Sequence, residues 1–432
     1  MKKSKGVLAL MLAVLVLVGC VRIPERTMAA LKLSQTEAVL TVGDTLELSV
    51  TGTKKKVKWI SSDPETASVD TQGVVRAVKE GDAVITARTG KKKLKCFVTV
   101  VPLPLSGFWT ADSAPAESLR EYVAKVTDET DEGFIPVKDR IAVFDMDGTL
   151  TCETFYTYYD TMMFIEFCLK DHPERVSEEL KEAAREIKPG YTAGEELARN
   201  FARAYKGMTI DELYDYAVEF GQKKTESFEN MRYIDGFYLP MVEVVEFLYE
   251  NGFTIYVVSG TERTTSRAIV ANSPISEYVS PAHVIGTEFE VKQKGNEETA
   301  SNMDYKYADG DELVFTGGFI QKNLNANKSI WIEREIGQRP VLAFGNSGSD
   351  TSMMNYCLDH RNPYPSQAYM VVADDGEREW GKQDWTQKSE EYRAMGYVPV
   401  SMKNDFAEIY PEGIKPAEKQ YTEPEEALPD AA

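Results

Sequence analysis

Two aspartates one residue apart close the run Ile141-Ala142-Val143-Phe144-Asp145-Met146-Asp147-Gly148-Thr149-Leu150. Four consecutive apolar residues predict a strand buried on both faces, and Asp-Gly-Thr predicts a sharp exit from its C-terminal end. Side chains alternate along a strand, so Asp145 and Asp147 project to one side and Met146 to the other. A carboxylate pair of this kind can divide nucleophilic and acid–base work, but it is equally the composition of a solvated turn, so its partners decide. Two further apolar runs end in polar turns. Residues 253–258 lead into Ser259-Gly260-Thr261, and Val341-Leu342-Ala343-Phe344 leads into Gly345-Asn346-Ser347-Gly348-Ser349-Asp350. A hydroxyl and free backbone N–H groups between a strand and a helix can hold a phosphate. Lys328 stands just before a helical segment and the third of these strands. In open α/β sheets ligands collect beyond the carboxyl ends of the strands, so these dispersed residues are expected to converge.

In this order the four motifs resemble the haloacid dehalogenase superfamily, specifically its phosphoserine phosphatase-like members with a helical cap after the first motif. The resemblance covers about residues 136 to 410 and rests on Asp145-x-Asp147-Gly148-Thr149, Ser259, Lys328 and the 345–350 loop. It implies an α/β, Rossmann-like parallel sheet and Mg²⁺-dependent hydrolysis of small phosphomonoesters. Asp145 is then the nucleophile and Asp147 the general acid and base. Ser259, Gly260, Thr149 and Lys328 are implied as phosphate ligands, and Asp145, Asp147 (through its carbonyl), Asn346 and Asp350 as the metal set, with Asp350 orienting Lys328 or a water at the metal. Lys322 competes with Lys328 for the third motif; helix placement favours Lys328. Asn346 departs from the commoner aspartate, leaving the metal site one negative charge short. Glu153 matches only loosely the cap-side glutamate that reads a substrate amine, so serine phosphate is not supported as substrate. Two alternatives stand beside this reading: a surface-binding or adhesion protein on a degenerate scaffold, and a phosphotransferase of the same superfamily.

The elements around the motifs fit an inserted cap. Roughly eighty residues after Thr151 show helical periodicity and no strand signal, which places a helical cap at about 152–235. Capping-box patterns at Thr192-x-x-Glu195 and Thr209-x-x-Glu212 mark two helix starts. Tyr156, Tyr158, Tyr159, Phe164 and Phe167 pack a helical core or, as a second reading, line a pocket beneath it. The sequences Tyr369-Met370-Val371-Val372-Ala373 and Tyr397-Val398-Pro399-Val400 are expected as closing strands, and residues 411–432, rich in Pro and Glu, as a disordered tail.

Ahead of this domain, residues 31–101 alternate apolar and polar positions in short runs punctuated by Gly-Asp and Ser-Asp-Pro turns, the pattern of an all-β sandwich. Val42-Gly43, Trp59, Ser61-Ser62-Asp63-Pro64, Ala67-Ser68-Val69-Asp70 and Gly73-Val74-Val75 resemble the bacterial Ig-like domain of group 2. That resemblance implies a display or adhesion spacer. Lys54-Lys55-Lys56 and Lys91-Lys92-Lys93 fall near its turns, as solvated tips or as contacts to an anionic wall polymer. Residues 102–135 read as a linker and a lead-in helix.

Formal charge is −20 over 432 residues, with twelve Lys/Arg against eight Asp/Glu in 31–101, so the acidity lies in the C-terminal three quarters. That balance argues against nucleic acid as a partner. Five cysteines and three histidines show neither zinc-ligand spacing nor a disulfide framework. The first nineteen residues have a basic start, an apolar core and the ending Leu17-Val18-Gly19 before Cys20, which resembles a lipoprotein signal and implies a lipid anchor on Cys20, with residues 20–30 as tether, at the outer face of a bacterial cytoplasmic membrane. Cys20→Ala is expected to abolish fatty-acid labelling and move the protein out of the membrane fraction. A variant that stays membrane-bound overturns the anchor.

Overall fold

The computed structural model describes residues 30–155, 157–188, 194–299 and 301–419. The expected signal peptide, Cys20, Tyr156, Thr192 and residues 420–432 fall outside the described residues. The chain divides into two compact units, Met1–Leu103 and Pro104–Ala432.

In the first unit, the strands Glu37–Thr41, Lys92–Val101, Gly81–Thr89 and Lys58–Ser61 form one sheet, and Thr45–Glu47, Val74–Ala77 and Ala67–Val69 form another. The core between them takes every second residue of the long strands: Ala83 and Ile85 from one, and Cys96, Val98 and Val100 from its neighbour. This alternation puts Phe97 outside at 56% exposure, and Val75 with Ala77 inside. Gly73 has φ +98°, and a Cβ there would come within 2.4 Å of the Leu48 carbonyl and 2.7 Å of the Trp59 ring, so only glycine fits this turn. Both lysine clusters are exposed, the second beginning at the tip of the hairpin that joins the two longest strands.

The second unit opens with the helix Ala114–Thr127, capped by Ser113, and centres on a seven-stranded sheet. Ile141–Phe144 lies in the middle, fully buried, with Thr254–Glu262 parallel on one side and Leu342–Gly345 parallel on the other. Gln367–Val372 and Val398–Ser401 continue in parallel beyond Leu342–Gly345. Phe144, Phe344 and Tyr369 stack across three adjacent strands, with centroids 4.3 Å and 5.0 Å apart, as a rigid floor beneath the central strand ends. On the other edge lie two strands that no apolar run announces: Val284–Gln293, parallel to its neighbour, and Leu313–Gln321, antiparallel to it.

The insert after the central strand is helical: Tyr159–Glu166, Glu178–Arg185, Glu195–Ala204 and Ile210–Gly221. The Thr209–Glu212 capping box is formed in both directions, whereas Glu195–Ala204 starts from Gly194. Tyr159, Phe164 and Phe167 pack among Phe201, Tyr205, Tyr216 and Phe220, so this cluster is core; of the five aromatics, Tyr158 lines the cavity described below. The edge hairpin completes the insert, because Gly207 N–H donates to the Phe315 carbonyl and Phe315 N–H to that of Met208, while Arg199 lies over the Phe319 ring.

Residues 411–419 correct the expected tail. Lys415–Pro416 pairs antiparallel with Phe228–Glu229, and the Asn230 amide donates to the Gly413 carbonyl. Just ahead of this staple, the Tyr410 and Thr154 hydroxyls both donate to the buried Glu379, whose carboxylate also receives Cys152 Sγ at 3.6 Å. Burial pushes the Glu379 carboxyl up to about 7 against those three donors. A carboxyl raised on folding keeps its proton longer in the folded chain, so the stability it contributes at low pH is lost as pH rises through about 7. In Glu379→Gln the fall in melting temperature between about pH 5 and pH 7 should shrink, with the gap to wild type changing by about 1.4 kcal/mol per pH unit. Thermal denaturation across that range reads it, and parallel curves for the two proteins would exclude a titrating Glu379.

Candidate active site

Central placement of Ile141–Phe144 explains why the motifs meet. Of its two parallel neighbours, Thr254–Glu262 carries Ser259 to Thr261 near its C-terminal end and Leu342–Gly345 leads directly into Asn346, so all three bring their polar residues to one spot. A cavity of about 250 Å³ opens there, lined by Asp145, Asp147, Glu153 and Asp160, by Gly260, Thr261 and Lys322, and by Asn346 to Ser349. Met146 is fully buried beneath its two aspartate neighbours.

The Asp145 carboxylate is held at both ends. Lys328 Nζ sits 2.5 Å from its Oδ1, and the Thr149 hydroxyl donates to its Oδ2 at 3.2 Å. Lys328, with no exposed surface, also donates to the Val258 carbonyl at 2.7 Å and meets Asp350 Oδ1 at 2.7 Å. Two of these oxygens accept hydrogen bonds from the ammonium, and Asp350 Oδ1 pairs with its charge. Burial opposes the Lys328 charge, but Asp145 and Asp350 overcome it and leave the lysine above its ordinary value. This makes Lys328, rather than Lys322, the lysine beside the nucleophile position.

Asp147 differs from its neighbour. Its Oδ2 accepts from the Thr261 hydroxyl at 2.9 Å, and its buried Oδ1 has no hydrogen-bond partner. Burial, then Asp160 and Asp145, push this carboxyl up to about 8, so it carries a proton at neutral pH. Burial and Asp350 push the Asp145 carboxyl up as well, to about 7 against Lys328, so the two carboxyls differ chiefly in their partners, an ammonium beside one and a hydroxyl beside the other.

Several expected ligands take other places. Ser259 is fully buried with its Oγ accepting from Thr261 N–H, so Gly260 and Thr261 face the cavity in its stead. The pairing register of this strand shifts between Val258 and Glu262, which upsets simple alternation there. Thr149 braces Asp145 from outside the cavity. Asp350 is removed from the metal set: its Oδ2 accepts from the backbone N–H groups of Asn346 and Ser347, and its Oδ1 faces Lys328. Asp160, at the start of the first insert helix, is a site residue that no sequence motif marked, and Thr261 of the Ser259-Gly260-Thr261 motif has the further role of donating to Asp147.

Glu153 sits close to the Asn346 side chain around one glycine. Gly148 makes room for both: its φ is +81°, and a Cβ there would fall 1.9 Å from Asn346 Nδ2 and 2.6 Å from Glu153 Oε2. Of the amide's two atoms, Oδ1 is the one able to serve a cation. Burial pushes the Glu153 carboxyl up to about 8, with the neighbouring Asn346 amide opposing. The oxygen-only donor set and the orphaned Asp147 Oδ1 fit a hard divalent cation. Among the described residues no three His, Cys, Asp or Glu side chains form a metal-holding group, and this donor set does not need one, since it draws on an amide and a backbone carbonyl.

A family model of haloacid dehalogenase-like hydrolases matches residues 142–355, and one of bacterial Ig-like domains of group 2 matches residues 28–100. Solved structures similar to the chain include a conserved functionally unknown protein from Anaerococcus prevotii DSM 20548, 13% identical over 66% of this chain and 91% of that one, with TM-score 0.41. A phosphoserine phosphohydrolase-like protein from Francisella tularensis subsp. tularensis SCHU S4 is 13% identical over 54% and 88% of the two chains, at 0.30. Domains 4 and 5 of the S-layer protein SbsC are 26% identical over 17% of this chain and 51% of theirs, at 0.15. No curated protein matches the chain. The family matches and the strand-end geometry agree: this chain joins a group 2 bacterial Ig-like domain to a hydrolase domain of the haloacid dehalogenase superfamily.

Proposed function

We propose that the protein is a phosphatase that hydrolyses small phosphomonoesters through an aspartyl-phosphate on Asp145. The observation that carries this reading is the difference in partners at one strand end, where Asp145, paired with Lys328, and Asp147, bonded only by the Thr261 hydroxyl and pushed up to about 8, share a cavity of about 250 Å³. Lys328 and Thr149 fix the Asp145 carboxylate, and its Oδ2 attacks phosphorus as the bond to the leaving alcohol breaks. Asp147 gives its proton to that alcohol, then takes one from the water that attacks the phosphoenzyme and frees Asp145. Mg²⁺, when bound, neutralises phosphoryl oxygens and favours ionised Asp145. Asp145, the Asp147 carbonyl and Asn346 Oδ1 would hold it, with the Glu153 carboxyl close beside the amide. The small cavity beneath the insert suits a small ester rather than a polymer. The assembled acid, base and lysine favour an enzyme over a bare adhesion scaffold. Localisation follows the proposed Cys20 anchor, with the Ig-like domain as spacer or surface contact.

A panel of phosphomonoesters tests the reading on residues 21–432, with and without Mg²⁺. Wild type should turn over at least one ester, lose that activity to a chelator, and lose at least about a thousandfold in kcat as Asp145→Asn. Equal inertness of both proteins on every ester would refute the assignment. Asn346→Asp adds a charge at the cation site and should tighten Mg²⁺ binding roughly tenfold by calorimetry, about 1.4 kcal/mol. Without Mg²⁺ the same variant should melt below wild type, because the amide close to Glu153 becomes a second carboxyl in the same buried space. Unchanged Mg²⁺ affinity would remove Asn346 from the metal set.

A further inference from the structure

Lys328 is engaged by three protein oxygens, two through hydrogen bonds and Asp350 through an ion pair, and it does not line the cavity. Lys322 has the opposite character. It lines the cavity at 5% exposure, and no described residue hydrogen-bonds or ion-pairs with its ammonium. Asp160 and Asp147 act on it through space. A buried ammonium without partners is costly, and the cost is recovered when an anion arrives.

Its position is fixed by the backbone around it. The Lys322 carbonyl accepts from the Asn327 amide at 2.8 Å, and Asn323 ties the same loop to the Ser259 carbonyl at 3.0 Å and, through its N–H, to the Thr287 hydroxyl at 3.1 Å. Leu324 closes against Gly260, where a Cβ would come within 2.7 Å of its Cδ2. Lys322 therefore stands on one wall with Gly260 and Thr261, the strand-end turn suited to phosphate. We infer that Lys322 is the lysine that binds the phosphoryl oxygens of the substrate, while Lys328 serves only to position and neutralise Asp145. The inference rests on the phosphatase reading. It divides between two lysines the tasks that one was expected to combine.

The test uses inorganic phosphate as the probe, titrated by calorimetry into the Mg²⁺-loaded protein, alongside steady-state kinetics on whichever ester the panel yields. Lys322→Met should bind phosphate at least tenfold more weakly and raise KM by a similar factor with a smaller loss in kcat. Lys322→Arg should recover part of both. Because an unpartnered ammonium is replaced by a thioether, Lys322→Met should melt no lower than wild type without phosphate, which separates lost binding from lost folding. Phosphate affinity within twofold of wild type in Lys322→Met overturns the inference while leaving the phosphatase reading intact. A loss confined to esters whose alcohol carries an anionic group also overturns it, and would make Lys322 a reader of the leaving group. A wild type that neither binds phosphate nor hydrolyses any ester overturns both.

Discussion

A single buried ammonium ties the catalytic unit together. Lys328 has no exposed surface, and a lysine so placed is tolerated only when oxygens replace water around it. Those oxygens come from three segments: Asp145 at the end of the central strand, the Val258 carbonyl on one neighbour, and Asp350 in the loop after the other. Each strand must end at its own level for the three to meet one nitrogen. Sliding any of them would leave a charge buried without its partner, a loss of about 3–5 kcal/mol for a pair broken on one side. The apolar runs decide that these strands are buried, and the lysine helps to decide how they are aligned.

The same division marks what could be read from the chain. Central strands of a parallel sheet are covered on both faces, so they stand out as unbroken apolar runs, and all three were legible with their polar exits. The edge strands Val284–Gln293 and Leu313–Gln321 were not: one mixes Glu, Lys and Gln with its apolar residues, the other carries two glycines and an exposed Ile320, and both lie half covered against the insert. The Thr209–Glu212 cap was legible because its bonds are local. Asp160 lies in the insert, far from Lys322 in sequence, and the two are brought to one cavity by tertiary structure alone, so Asp160 carried no signal of its own and Lys322 could be read only as a rival to Lys328. Ser259 lies buried with its hydroxyl turned to the Thr261 N–H, at a shift in pairing register that no sequence pattern announced, while Gly260 and Thr261 line the cavity. A Pro- and Glu-rich ending resembles a disordered tail in composition, yet two paired residues and one amide suffice to fasten its first part.

Asn346 shows how a departure from a family pattern can be accompanied by a change nearby. The residue that replaces a carboxylate lies against a carboxyl eight positions after Asp145, in a space that Gly148 leaves by having no Cβ. Burial holds that carboxyl up at about 8, so the acidic group that the family pattern would place at 346 has a counterpart in the same small volume whose charge depends on what binds there.

The Ig-like domain has one feature of mechanical interest. Its first long strand, Glu37–Thr41, runs parallel to its last, Lys92–Val101, with Glu37 opposite Phe97 and Thr41 opposite Val101. Two parallel strands pulled from their free ends in opposite directions cannot be peeled apart one bond at a time, because the load falls along the ladder and all its hydrogen bonds share it. Tension between residue 37 and residue 101 would act on this pair in shear. A domain built this way transmits force along a chain without opening, which is the property a spacer needs if what lies on either side of it is pulled.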